Sequence, residues 1–167
     1  NGEYDAVLYI RSAFFSWKFE SQSWLPGICL GAWNEYIIEK WNKKVREGDE
    51  VVILGDFSAG HAEETNEVLR RLYGRLFLIE GNHDHVIRHR KFDTSRFGWI
   101  KPYAEVHDNK RKVVLSHYPI FCYNGQYRLD DEGKPKSYML YGHVHDSELF
   151  RATYLRACAW LWILSQI

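Results

Sequence analysis

Leu76-Phe77-Leu78-Ile79-Glu80-Gly81-Asn82-His83-Asp84 joins a short apolar run to a turn built from Gly, Asn, His and Asp. An apolar run of this length bounded by turn residues reads as a buried strand. The same arrangement recurs three times in order. Residues 51–54 run into Gly55-Asp56, residues 113–115 into Ser116-His117, and residues 139–141 into Gly142-His143-Val144-His145. Four strand ends therefore carry Asp, Asn and His, and if they meet on one edge of a sheet they suit a hard or borderline divalent metal.

The surrounding pattern is α/β. Residues 7–10 read as a first strand. Trp33, Tyr36, Ile37, Ile38, Trp41 and Val45 recur at helical spacing, and Glu47-Gly48-Asp49 closes that helix, predicted over 33–45. A second helix is predicted over 61–73, with Val68, Leu69 and Leu72 on one side and Gly74 as its stop. Helices alternating with short buried strands suggest an α/β layout. After residue 100 the pattern changes: strands over 104–107 and 112–115 flank Asp108-Asn109-Lys110-Arg111, a hairpin turn. Residues 123–137 are polar and read as a loop. No repeat or linker divides the chain, so 1–167 is expected to be a single domain.

Composition narrows the function class. Apolar residues make up 46% and charged residues 26%, which is globular. The formal net charge is zero, so no global field favours nucleic acid or an anionic membrane. Arg88-His89-Arg90-Lys91 and Lys110-Arg111-Lys112 read as solvated surface, with phosphate steering as the minor alternative. Cys29, Cys122 and Cys158 form no C-x-x-C pair or even framework, and are expected to be buried free thiols of a reducing compartment. The apolar stretch 6–10 is too short for a signal peptide, and 157–164 falls far below the roughly 20 residues that span a bilayer. A cytoplasmic protein is the expectation, and the sequence leaves the oligomeric state open.

Each polar turn taken alone has a bland reading. A lone His beside a strand is usually structural, Gly-Asp is usually a turn, and Asn82-His83-Asp84 suits a helix N-cap. Together they suit a metal. Asp56 follows a buried strand, where a carboxylate is costly unless paired or bound to an ion, and its two oxygens can bridge two cations. Asn82 offers an amide oxygen, and His117, His143 and His145 offer imidazole nitrogens. On an extended segment His143 and His145 point the same way.

The ordered set Gly-Asp, Gly-Asn-His-Asp, His, Gly-His-x-His resembles the calcineurin-like metallophosphoesterase family over roughly residues 7–148. The resemblance implies a four-layer α/β/β/α sandwich, two divalent ions and hydrolysis of phosphate mono- or diesters, with a small phosphate ester or a nucleotide as partner. Carried over by motif, Asp56 is the bridging carboxylate. Asn82, His117 and His143 complete the second metal site, and His145 serves the first. His83 is the general acid, with Asp84 orienting its imidazole. Two ions about 3.5–4 Å apart would activate a bridging water and clamp the phosphoryl oxygens. The oxygen and nitrogen donors are compatible with manganese, iron, zinc, cobalt or nickel.

The chain departs from the family at the early Asp-x-His motif. After the first strand, Ala13 stands where Asp is expected and Phe15 where His is expected. Neither side chain binds a metal, so two ions are expected for the family and one for a chain that has lost these ligands. Three accounts stand side by side: natural loss of the first site, a substitute ligand such as Glu20 or His61, or frameshifted ends, since 14–24 and 151–167 are unusually aromatic and apolar. Three functions follow. One is a phosphoesterase, favoured by His83-Asp84; one is a catalytically impaired phosphate- or nucleotide-binding protein on the same scaffold. The third is an interaction module using aromatics such as Trp17 and Trp24. The loop 123–136 is placed to wall the cleft, with Arg128 and Lys134 more readily solvated than phosphate-bound.

Overall fold

The computed structural model describes residues 7–10, 30–108 and 111–144, with backbone alone for 7–10 and 30–33. Ala13, Phe15, Glu20, Trp17, Trp24, Cys29, His145, Cys158 and the tail 151–167 lie outside the described residues.

Strands β1 (Val7–Ile10), β2 (Glu50–Ile53), β3 (Arg75–Ile79) and β4 (Phe97–Lys101) form a parallel sheet in that order. Alternation along the central strands divides the core. Val51, Ile53, Leu76 and Leu78 pack with Ile38, Trp41, Val45, Val68, Leu69 and Leu72. Val52, Leu54, Phe77 and Ile79 pack with Ala104, Val113 and Leu115. Period two therefore sends one set of side chains to the helices and the other to a second sheet. Both faces are covered, which is why these strands read as unbroken apolar runs.

Helix α1 (Leu30–Asn42) buries Ile38 and Trp41, and its next turn adds Val45, a spacing of three and four. The Trp41 indole N–H donates to the Tyr73 carbonyl at 3.0 Å, tying α1 to the end of α2 (Ala62–Arg71). Helix α2 carries Glu63 and Glu64 in its first turn and Arg70 and Arg71 in its last, complementing the macrodipole. Both helices are a few residues displaced from the sequence boundaries, because chain ends of helices are closed by turns that periodicity does not mark.

The second sheet contains β5 (Tyr103–Asp108), β6 (Arg111–Ser116) and β7 (Ser137–Tyr141). β5 and β6 are antiparallel with Asp108 opposite Arg111, as the hairpin reading expects, and β6 and β7 are parallel. Val114 and Met139 pair on the face turned away from the first sheet and are buried too. The described residues thus comprise two packed sheets with helices on the outer face of the first.

Strand β4 has no clear signal in the sequence, because Gly98 interrupts it. A Cβ at Gly98 would lie 2.4 Å from Phe77 Cε1, so the glycine is required by a neighbouring strand rather than by a turn. Residues 117–136 are a long connection with its own order. Leu129 bridges Pro135, Lys136 N–H donates to the Arg128 carbonyl at 2.9 Å, and Asn124 donates to Glu105. Cys122 sits in this connection as an exposed free thiol, not the buried one expected, because the turn turns it outward from the core. No helix among the described residues is long and apolar enough to cross a membrane.

Candidate metal centre

The parallel sheet and the parallel β6–β7 pair bring four carboxyl-terminal strand ends to one edge. β2 and β3 lie in register with Ile53 beside Leu78, and β6 and β7 end with Ser116 beside Tyr141. The turns that follow supply Asp56, Asn82, His117 and His143. Ligand sites at the carboxyl ends of such strands are a general property of open α/β sheets.

The turns are forced into contact. Gly55 and Asp56 both take left-handed conformations, with φ of 88° and 55°. A non-glycine residue held there carries strain, and Asp56 owes its inward aim to it. A Cβ on Gly55 would lie 2.2 Å from His117 Nδ1, and one on Gly81 would lie 2.2 Å from the Asp56 amide nitrogen. Only glycine lets the three turns approach this closely.

Asp84 locks the β3 turn to the β2 turn. Its buried carboxylate accepts N–H bonds from Gly81 at 2.8 Å and Ser58 at 3.1 Å. Burial pushes this carboxyl above its ordinary range, with the backbone amides pulling the other way. Asp84 also precedes a 3-10 turn (His85–Arg88), but its side chain makes no capping bond there. The N-cap reading of Asn82-His83-Asp84 therefore gives way to a clamp between loops. Asp56 Oδ1 accepts the His83 N–H at 2.9 Å, a second link between the same two turns.

The donor atoms converge. Asn82 Oδ1 lies 2.9 Å from both His117 Nε2 and His143 Nδ1. His117 Nε2 lies 3.4 Å from Asp56 Oδ2 and 3.2 Å from His143 Nδ1. Ligand atoms of Asp56, His117 and His143 all fall within 4.8 Å of one another. His117 Nδ1 faces the Leu54 carbonyl at 2.8 Å, and a carbonyl only accepts, so Nδ1 carries the proton. In that tautomer Nε2 is the ring atom turned towards the oxygens of Asn82 and Asp56, and it can offer its lone pair to an ion. A cation between these atoms would draw an electron pair from each of them. Donors bound at about 2.0–2.2 Å sit roughly 3–4 Å apart, which these distances match. The residues present therefore fit a divalent ion, and the Leu54 carbonyl fixes the required tautomer.

The sequence reading is altered in one respect. His143 has φ of 58° and Val144 N–H returns to the Gly142 carbonyl at 2.7 Å, so this segment is a tight turn and not extended. The left-handed bend swings the His143 ring back towards Asn82. Gly142 N–H also donates to the His117 carbonyl at 3.0 Å, holding the two histidine turns together. His61, considered as a substitute ligand, is exposed at the N-cap of α2 and is not among the clustered donors. Arg88 pairs with Glu80, Lys91 with Glu63 at 2.6 Å, and Lys134 with Glu132 at 2.6 Å. These cations are solvated surface pairs. The Leu54 carbonyl and the Ser58 amide left no mark in the sequence, because backbone groups carry no residue identity.

Residues 34–159 match the family model of the calcineurin-like phosphoesterase superfamily domain. An uncharacterized protein of Methanocaldococcus jannaschii is 30% identical over 118 residues, covering 70% of this chain and 55% of that protein. The gene 66 protein of Mycobacterium phage D29 is 33% identical over 142 residues, covering 71% of this chain and 68% of that protein. A solved structure of a protein of unknown function from Aquifex aeolicus is similar with a TM-score of 0.49 and 25% identity, covering 68% of this chain and 62% of that one. The chain spans about half the length of the archaeal relative, 55%.

Proposed function

The chain belongs to the calcineurin-like phosphoesterase superfamily, and from that premise we propose that it hydrolyses phosphate mono- or diesters at the cluster of Asp56, Asn82, His117 and His143. The observation that carries this is the convergence of Asn82 Oδ1, His117 Nε2 and His143 Nδ1 within 3.2 Å of one another, with Asp56 beside them. A bound divalent cation supplies Lewis-acid polarisation of a phosphoryl oxygen and a lowered pKa for water.

The chain's own residues do the rest. His117 is kept in the tautomer that leaves Nε2 free to bind, and Asp56 offsets the ion's charge from a buried position. His83 is exposed beside the cluster, its backbone held by Asp56 Oδ1. As general acid its imidazole protonates the leaving oxygen as the phosphorus–oxygen bond breaks and a water oxygen takes its place. Asp84, in orienting His83, works through the turn it clamps. His145 belongs to the proposal as a ligand of the ion at the first site, within a four-layer α/β/β/α domain over 1–167. Manganese, a nucleotide or other phosphate-ester substrate, and a cytoplasmic setting complete it.

Ala13 and Phe15 favour a second reading, a phosphate- or nucleotide-binding protein with impaired turnover. Metal-stripped protein titrated with Mn²⁺ and assayed on bis-p-nitrophenyl phosphate separates the two. Metal-dependent turnover lost in His117→Ala supports the esterase. Phosphate binding without turnover, across manganese, iron, zinc, cobalt and nickel, in protein that stays folded, supports the second.

A further inference from the structure

Tyr118 follows His117 directly, and its ring lies against the ring of His143, with centroids 4.5 Å apart and planes at 59°. It also meets the His117 ring edge-on at 5.0 Å. Yet Tyr118 remains 49% exposed. Tyr118 is therefore a half-exposed aromatic ring in contact with two rings of the donor cluster, at its rim.

The segment that follows it is held in place. Beyond it, Ile120 N–H contacts Met139 Sδ at 3.4 Å, and Asn124 Nδ2 donates to both Glu105 oxygens at 3.1 and 3.0 Å. Gly125 packs so closely that a Cβ there would lie 2.5 Å from Ser137 Oγ. The loop leaving Tyr118 is thereby tied to β5 and β7. An anchored ring loses little entropy when a ligand stacks on it.

Resting on the phosphoesterase reading, we propose that Tyr118 is a specificity-determining residue that selects phosphate esters bearing a planar aromatic group. The phosphoryl oxygens would sit at the donor cluster and the aromatic group would stack on the outer face of Tyr118. Stacking of this kind is expected to give a preference of roughly tenfold. The aromatic group has two sources, an aryl ester or a nucleobase.

The test is equilibrium binding to Mn²⁺-loaded protein by calorimetry, with two matched ligand pairs. Phenylphosphonate against methylphosphonate reports an aryl ring next to phosphorus. Adenosine 5′-monophosphate against ribose 5-phosphate, mixed at 4 °C and read within minutes, reports a base beyond a sugar. The expectation is roughly tenfold tighter binding of the aromatic member in at least one pair. Tyr118→Ala should bring that pair to parity with the non-aromatic ligand unchanged, and Tyr118→Phe should keep the preference. The proposal is overturned if neither pair is discriminated, or if Tyr118→Ala leaves the preference intact. It is overturned too if Tyr118→Ala weakens both members and Mn²⁺ alike, since the ring would then only support His143. Discrimination without turnover would retain this proposal and remove hydrolysis; turnover without discrimination would do the reverse.

Discussion

Gly81→Ala should damage the metal centre without adding or removing a ligand. An alanine Cβ would stand 2.2 Å from the Asp56 amide nitrogen and 2.5 Å from Asp56 Oδ1, where ordinary contact begins at 3.4 Å. The β2 and β3 turns must part by about 1 Å to admit it, and the obstacle is backbone, which cannot rotate away. That shift separates Asp56 from Asn82, whose Oδ1 sits 2.9 Å from both histidine nitrogens. It also stretches the 2.8 Å bond from Gly81 N–H to Asp84. Overpacking of this kind costs about 1–3 kcal/mol, against about 0.4–1 kcal/mol from the stiffer unfolded chain. A net loss of roughly 1–2 kcal/mol lowers Tm by several degrees in a domain of this size. Loss of donor geometry should weaken Mn²⁺ binding about 10–100-fold. Differential scanning calorimetry in chelator measures the first effect and Mn²⁺ titration calorimetry the second. An alanine variant with wild-type Tm and Mn²⁺ affinity within threefold of wild type would refute the claim that these two turns meet across Gly81.

Metal binding should itself stabilise the fold: Mn²⁺ at a hundred times its Kd should add about 2.7 kcal/mol. His117→Ala or Asp56→Asn should abolish that increment in thermal melts; a full increment in either variant would place the ion elsewhere. Glu105 is held at about 2, below its ordinary 4.5, by the Lys112 ammonium, the Tyr103 hydroxyl and Asn124. A carboxyl depressed in the fold stabilises it above about 4.5, and that contribution is lost as pH falls towards 2. Glu105→Gln should therefore flatten the fall in urea midpoint between pH 5 and pH 3, and an unchanged slope would contradict the assignment. Ile53 is fully buried between sheet and helices, so Ile53→Ala should cost about 2–5 kcal/mol in urea denaturation; a loss below 1 kcal/mol would mean the site collapses around the change.

How far the sequence can be read depends on where each signal resides. Strands over 51–54, 76–79, 113–115 and 139–141 were legible because hydrophobicity runs unbroken along them, with both faces buried in β2, β3 and β6, and the structure places β2, β3, β6 and β7 there. The helix faces were legible from Ile38, Trp41 and Val45 and from Val68, Leu69 and Leu72, all buried. Strand β4 was not, because Gly98 is dictated by Phe77 on the adjacent strand. The loop over 123–137 reads as merely polar, since its order rests on Asn124, Glu105 and backbone bonds that composition does not reveal.

The sequence by itself determined which chemistry was on offer: Asp56, Asn82, His117 and His143, each within three residues of a strand's end, with glycine beside three of the turns. Side-chain type and its distance from an apolar run are local properties, and local properties survive in one dimension. Tertiary structure alone decided that these turns share one edge, that Asp84 clamps two of them, and that the Leu54 carbonyl sets the His117 proton. It also bent His143 into a left-handed turn and laid Tyr118 against its ring. Those outcomes depend on sheet order, register and backbone groups brought together across as many as 63 residues of chain. No pattern along the sequence encodes them, because the free energy that selects them comes from packing two sheets against one another.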